Sequence, residues 1–246
     1  MKLCLAAPCS LPFLREDYVH CKYFLESFLT IRNWFIPHIK NCEMFMLDSG
    51  TFAFMRSGKD KENFDEYLTR YINFINKHDI KYFFELDVDS VVGFEEVKRL
   101  RTRLEKETGK KCIPVWHRSR GKEEFIQMCQ EYDYVSLGGI AANEIKSSEY
   151  PYLKWFIDTA HSYDCKIHGL GFTNLKGLYL YNFDSVDSTT WIQGGKHGRL
   201  FHFDGMYLKE ANTRSRRRRS DLNTHPINRH NFYEWTRFQE FADKYL

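Results

Sequence analysis

The sequence predicts a closed (β/α)8 barrel, TIM-like and built as a single domain over residues 1–246. Short apolar runs recur along the chain. Amphipathic helical stretches separate most of them. Several runs end on an aspartate, a histidine or paired glycines, the residue types that populate the catalytic face of such barrels. An open doubly wound sheet is the rival arrangement of the same alternation, and the number of runs favours closure.

Residues 2–6 (KLCLA) fit a buried first strand, broken by Pro8 and Pro12. The stretch 23–34 reads as a helix limited by Pro37. Residues 43–48 (EMFMLD) read as the second strand, ending in Asp48-Ser49-Gly50. Phe64, Tyr67, Leu68, Tyr71, Ile72 and Ile75 then recur at helical spacing. Residues 81–87 (KYFFELD) give the third strand, running into Val88 and Asp89, and 94–107 the next helix, with Gly109 as its stop. Residues 111–116 form the fourth strand despite Pro114, which implies a bulge or the end of regular pairing. His117 follows it. After a helix at 122–130 come strand 133–137 with Gly138-Gly139, helix 150–162, and strand 165–169 with Gly169-Leu170-Gly171. A short helix at 174–180 precedes the seventh strand, 182–187, where Phe183 and Asp184 point to opposite faces and Asp187 falls at the end. Residues 200–203 are the best eighth strand, and an amphipathic helix at 231–245 closes the chain.

At 246 residues, 43% hydrophobic and 17% aromatic, the chain has apolar surface for a substantial core. The net charge is +3, but the run at 212–221 holds Arg214, Arg216, Arg217, Arg218 and Arg219, which leaves −2 on the remainder. The seven cysteines are odd in number and show no CxxC spacing, as expected of reduced thiols in a cytoplasmic protein rather than a disulfide scaffold. The apolar part of the opening MKLCLAAPCSLPF is too brief for a secretory leader, and no run reaches membrane-spanning length, so no membrane association is expected.

In a barrel all C-terminal strand ends share one mouth, which here collects Asp48, Asp87, Asp89, His117, Gly138, Gly139, His168, Gly169, Gly171, Asp184 and Asp187. The glycines lack both the P-loop and the dinucleotide spacing. Three readings compete. Aspartates cap turns and helices, which accounts for Asp48-Ser49-Gly50. Carboxylates with His117 or His168 form metal sites, but no paired histidine spacing supports one. Paired carboxylates also break glycosidic bonds, one protonating the leaving group and the other trapping the sugar cation.

Asp48-Ser49-Gly50, Leu86-Asp87, Leu137-Gly138-Gly139-Ile140-Ala141 and Gly169-Leu170-Gly171, in that order before an aspartate-bearing strand, resemble the tRNA-guanine transglycosylase family. The likeness covers residues 43–190 and is greatest to the bacterial and phage branch that inserts 7-deazaguanine bases into DNA. It implies a pentosyltransferase that replaces guanine in nucleic acid with a free 7-deazaguanine through a covalent glycosyl-aspartate, without a cofactor. DNA is the favoured substrate and tRNA the alternative; the location would be host cytoplasm if the chain is phage-encoded. The resemblance implies Asp187 as nucleophile, preferred to Asp184, and Asp48 as general acid/base. Asp87 would bind the base, the Gly138-Gly139 backbone would approach its carbonyl, and His117 would stand where the family places a glutamine. Asp89, Asp184, His168 and Gly169 are accessory candidates. Lys196, Arg199 and the five arginines would hold the nucleic-acid backbone. Trp191 would stack on a base or pack beneath the mouth.

Besides His117, the chain departs from the family in three places. Thr51-Phe52 follows Gly50, Ser188-Thr189-Thr190-Trp191 follows the nucleophile strand, and no cysteine follows Cys165, so neither the family's C-terminal zinc subdomain nor any other metal is expected. A hydrolytic N-glycosidase and a non-catalytic nucleic-acid-binding barrel are the alternatives.

Overall fold

The computed structural model describes residues 1–51, 63–193, 197–212 and 224–246. Eight parallel strands follow one another around a ring: β1 (Lys2–Ala6), β2 (Tyr23–Ser27), β3 (Met44–Asp48), β4 (Tyr82–Phe83), β5 (Val115–Trp116), β6 (Tyr134–Leu137), β7 (Lys166–Gly169) and β8 (Ser185–Ser188). β1 pairs with both β2 and β8, so the first and last strands are neighbours. β4 and β5 meet through a single parallel bridge, Phe84 to Ile113. That seam closes the barrel. A side chain reinforces it: Glu85 accepts the Val115 N–H at 2.7 Å, where a regular ladder would use a carbonyl.

Helices α1 (Ile36–Asn41), α2 (Phe64–His78), α3 (Phe94–Thr108), α4 (Gly121–Glu131) and α5 (Leu153–Ser162) lie between successive strands, and α6 (His225–Tyr245) ends the chain. Tyr67, Leu68, Tyr71, Ile72 and Ile75 of α2 are buried as their spacing predicts. Asn63 caps that helix by accepting from the Asp65 and Glu66 N–H groups. The Tyr71 hydroxyl donates to the carbonyls of Leu47 and Phe84, each at 3.0 Å, tying α2 across the short β4.

Strand alternation divides the core. Leu3, Leu5, Phe24, Phe45 and Leu47 join the large cluster under the helices, whereas Cys4, Ala6, Tyr23, Leu25, Met44 and Met46 form a smaller cluster inside the barrel.

Two expectations are corrected. The stretch expected as helix 23–34 begins with β2, whose Tyr23, Phe24, Leu25 and Glu26 are all buried. A parallel strand covered on both faces is apolar throughout, so its periodicity is indistinguishable from that of a buried helix. Residues 200–203, expected as the eighth barrel strand, belong to β9 (Arg199–Phe203), which pairs antiparallel with β10 (Leu208–Asn212) in a ribbon separate from the barrel. The ribbon packs on α6, where Phe203 meets Phe238 and Phe241. The final helix starts at His225 rather than 231, with Pro226 in its first turn. Among the described residues no helix is long and apolar enough to cross a membrane.

Candidate active site

A cavity of about 430 Å³ opens at the C-terminal ends of the strands. Asp48, Asp87, His117, Gly139, Gly171 and Asp187 all line it, so four separate strand ends and two loops converge on one space. The volume is in the range of small-ligand sites.

Asp187 stands on β8, in register with Cys4 of β1. Its Oδ1 accepts from the Gly171 N–H at 2.5 Å and meets His168 Nε2 at 3.2 Å. No hydrogen bond among the described residues uses Oδ2. Gly171 has φ +70, and a Cβ there would lie 2.8 Å from the Ala141 Cβ, so the glycine brings this donor onto the carboxylate.

Asp48 ends β3. Burial pushes its carboxyl up to about 7, with the negative charges of Asp87, Asp187 and Glu26 adding to the shift and the Gly50 N–H opposing it. Asp87 lies beyond β4, where Thr51 donates to its Oδ1 at 2.5 Å and Ser49 lies 3.0 Å from Thr51. Thr51 therefore holds one oxygen of Asp87. His117 follows β5, with Nε2 3.4 Å from Asp87 and Nδ1 3.4 Å from Glu144. Burial alone would lower this imidazole, but the bond and charge of Asp87, with Glu144, outweigh it and raise its pKa above the usual value.

Gly138 and Gly139 separate in role. The Gly138 N–H donates to the Trp116 carbonyl at 2.8 Å, and a Cβ would sit 2.8 Å from Val115 Cγ1, so this glycine permits close strand packing. Gly138 is absent from the cavity wall. Gly139, at φ +80, lines the cavity, and no hydrogen bond among the described residues uses its N–H.

Asp184 precedes β8 at the opposite end of the strand, bonded to His161 Nε2 at 3.0 Å and to the Ile167 N–H at 2.9 Å. It is absent from the cavity wall, which Asp187 lines. Asp89 points to Arg120, which donates to it at 3.0 and 2.7 Å and to Glu85 at 2.7 Å. It therefore joins the Arg120–Glu85 ion pair and also lines, with Asp87 and His117, an adjoining cavity of about 300 Å³. Gly169 packs against Phe172 and Phe183. Arg199 is bound to Glu210 at 2.8 and 2.6 Å and to Gln193 at 2.8 Å, so its guanidinium is already occupied. Trp191 is fully buried and donates to the Ala6 carbonyl at 2.9 Å, so it packs beneath the mouth. Lys196, Arg214, Arg216, Arg217, Arg218 and Arg219 lie outside the described residues.

Glu26 was missed because its strand was read as helix. It lines the cavity at the end of β2 and accepts from the Cys9 N–H at 2.8 Å, the Ser27 N–H at 2.9 Å and the Thr30 hydroxyl at 2.6 Å. Its signal was an acid closing the apolar run Tyr23-Phe24-Leu25, the same pattern that flags Asp48. Among the described residues no group of three or more His, Cys, Asp or Glu side chains is arranged to hold a metal ion.

Fold and site together define a (β/α)8 barrel with an acidic cavity at its C-terminal face. No family model matches the sequence, and no curated protein does. Among solved structures, an enolase protein from environmental genome shotgun sequencing of the Sargasso Sea superposes with a TM-score of 0.39 at 11% identity, over 76% of this chain and 52% of that one. The chain thus spans about half the length of that protein, and a likeness this distant carries no inference about chemistry.

Proposed function

We propose that the protein is a base-exchange glycosyltransferase that replaces a purine base in nucleic acid, with Asp187 as nucleophile and Asp48 as general acid/base. The observation that carries this reading is that one cavity holds both an aspartic acid poised to be protonated near neutrality and a second carboxylate oriented through one oxygen. Pairs of carboxyl groups with divergent environments divide into acid and nucleophile.

Asp187 Oδ2 attacks C1′ of the sugar, the C1′–N bond breaks, and Asp48 gives its proton to the departing base nitrogen. The incoming base then loses its ring N–H proton to Asp48, its nitrogen re-forms the bond to C1′, and the Asp187–C1′ bond breaks. Two inversions retain the anomer. Asp87, held by Thr51, accepts from donor edges of the base. His117 and the Gly139 N–H offer donors to its carbonyl. The target nucleotide has to leave its stack to reach the cavity. The resemblance to the transglycosylases that act on DNA makes a 7-deazaguanine the incoming base and DNA the first substrate to try, with tRNA in parallel.

The test is nucleoside mass spectrometry after incubation with guanine-containing DNA or tRNA and free 7-deazaguanines, alongside denaturing gels for a covalent protein–nucleic acid species. Incorporation and a trapped adduct are expected for the parent and neither for Asp187→Asn. Exchange at near-parent rate in Asp187→Asn overturns the assignment. Guanine release without incorporation makes the protein a hydrolase instead.

A further inference from the structure

His168 is completely buried inside the barrel, with its ring centroid 5.4 Å from that of Phe84. Its Nε2 faces Asp187 Oδ1 at 3.2 Å, while its Nδ1 faces the hydroxyl of Ser185, the residue in register with it on β8. Ser185 is also buried, and its hydroxyl lies 2.5 Å from that of Tyr134 on β6. A continuous polar line therefore runs through the barrel interior, Tyr134 to Ser185 to His168 to Asp187, ending on the carboxylate proposed as nucleophile.

Proton counting gives this line one direction. The Tyr134 hydroxyl has no hydrogen-bond partner other than Ser185 among the described residues. If Nδ1 carried a proton, it would donate to Ser185, Ser185 would donate to Tyr134, and the Tyr134 hydrogen would find no acceptor among the described residues. If Nδ1 alone carried the proton, the Nε2 lone pair would also face the Asp187 oxygen. Among the described residues one arrangement gives every hydrogen an acceptor and sets no lone pair against the Asp187 carboxylate: Tyr134 donates to Ser185, Ser185 donates to Nδ1, and Nε2–H donates to Asp187.

We infer that Tyr134, Ser185 and His168 are positioning residues that lock the Nε2–H tautomer of His168 and so aim Oδ2 of Asp187 into the cavity. With Oδ1 held by His168 and Gly171, a single oxygen is left to meet the sugar carbon, and the carboxylate does not rotate between two equivalent attackers. The catalytic consequence rests on the glycosyl-transfer reading above; the tautomer does not.

Nitrogen-15 spectra of histidine-labelled protein test this, with the His168 resonances assigned by their loss in His168→Gln. The parent is expected to show an unprotonated Nδ1 and a protonated Nε2, and Ser185→Ala to keep Nε2 protonated while the Nδ1 resonance moves toward that of an imine nitrogen with no hydrogen-bond donor. Losing a partner that orients a reacting group typically costs about 10–100-fold, so kcat of Ser185→Ala should fall by that factor with KM unchanged. His168→Gln, whose amide can still donate to Asp187, should retain more activity than His168→Leu. A parent spectrum with Nδ1 protonated, alone or together with Nε2, overturns the relay, and so does an unchanged His168 spectrum in Ser185→Ala. The parent spectrum needs no variant to fold in the parent's shape. The expected nitrogen pattern in a protein with no exchange activity overturns the proposed function and leaves the tautomer lock standing.

Discussion

Replacing Asp48 by asparagine should remove activity and, at alkaline pH, add stability. In the native protein Asp48 holds its proton up to about pH 7, whereas an unperturbed aspartate releases it near 3.8. Between those values the folded state binds more protons than the unfolded one, so this group makes stability fall as pH rises. The displacement of about three pKa units corresponds to about 4 kcal/mol once Asp48 is fully ionised, at about 1.4 kcal/mol per unit. At pH 5 only about 1.5–2 kcal/mol of that penalty has appeared, and by pH 8 essentially all of it. Asparagine carries no such charge. The stability advantage of Asp48→Asn over the parent should therefore grow by about 2–3 kcal/mol between pH 5 and pH 8. Urea denaturation of both proteins at the two pH values, read by tryptophan fluorescence, measures it. An advantage that stays constant within about 0.5 kcal/mol would mean that Asp48 titrates as an ordinary surface carboxylate, and its role as a proton donor at neutral pH would fall with it. A group that destabilises the native state in its ionised form while serving chemistry is the usual trade between stability and activity.

Other perturbations follow from the same geometry. Glu85→Gln leaves the Arg120 guanidinium, whose side chain is fully buried, short of one charge partner at the β4–β5 seam; unfolding should become easier by about 3–5 kcal/mol in urea. Gly171→Ala forces a side chain into φ +70 and against Ala141, displacing the N–H that holds Asp187; kcat should drop at least tenfold while the circular dichroism spectrum is unchanged. Thr51→Val strips Asp87 of its hydroxyl donor, and KM for the incoming base should rise more than kcat falls. Glu26→Ala orphans the N–H groups of Cys9 and Ser27 and leaves the Thr30 hydroxyl only the Ser27 carbonyl at 3.4 Å, costing about 1–3 kcal/mol and speeding hydrogen exchange at the mouth loops.

Much of the architecture was open to reading because strand ends carry their own punctuation. Asp48-Ser49-Gly50, Leu137-Gly138-Gly139 and Gly169-Leu170-Gly171 each close an apolar run with a turn, and each of those runs is a barrel strand. Asp48, Asp87, His117 and Asp187 could be placed at one mouth because parallel strands in a ring send every C-terminal end the same way. The α2 stripe was legible from its 3.6-residue spacing alone.

Local pattern had no access to the rest. Tyr23-Phe24-Leu25 is apolar on both faces, so strand and helix could be separated only by what surrounds it, and Glu26 went unseen with its strand. Residues 200–203 alternate like a barrel strand, yet β1 was already paired on both sides, by β2 and β8, leaving no edge to join. Asp184 and Asp187 lie three residues apart and look alike in a sequence; the start of β8 puts one at each end of the barrel wall. The hydrogen bonds made to the cavity's carboxylates, Thr51 on Asp87 and His168 on Asp187 with Ser185 and Tyr134 behind it, join elements distant in the chain. Periodicity and turn chemistry are local properties and are written in the order of the residues. Hydrogen-bond direction, burial and the proton affinity of Asp48 depend on which strands become neighbours, and only closure of the ring decides that.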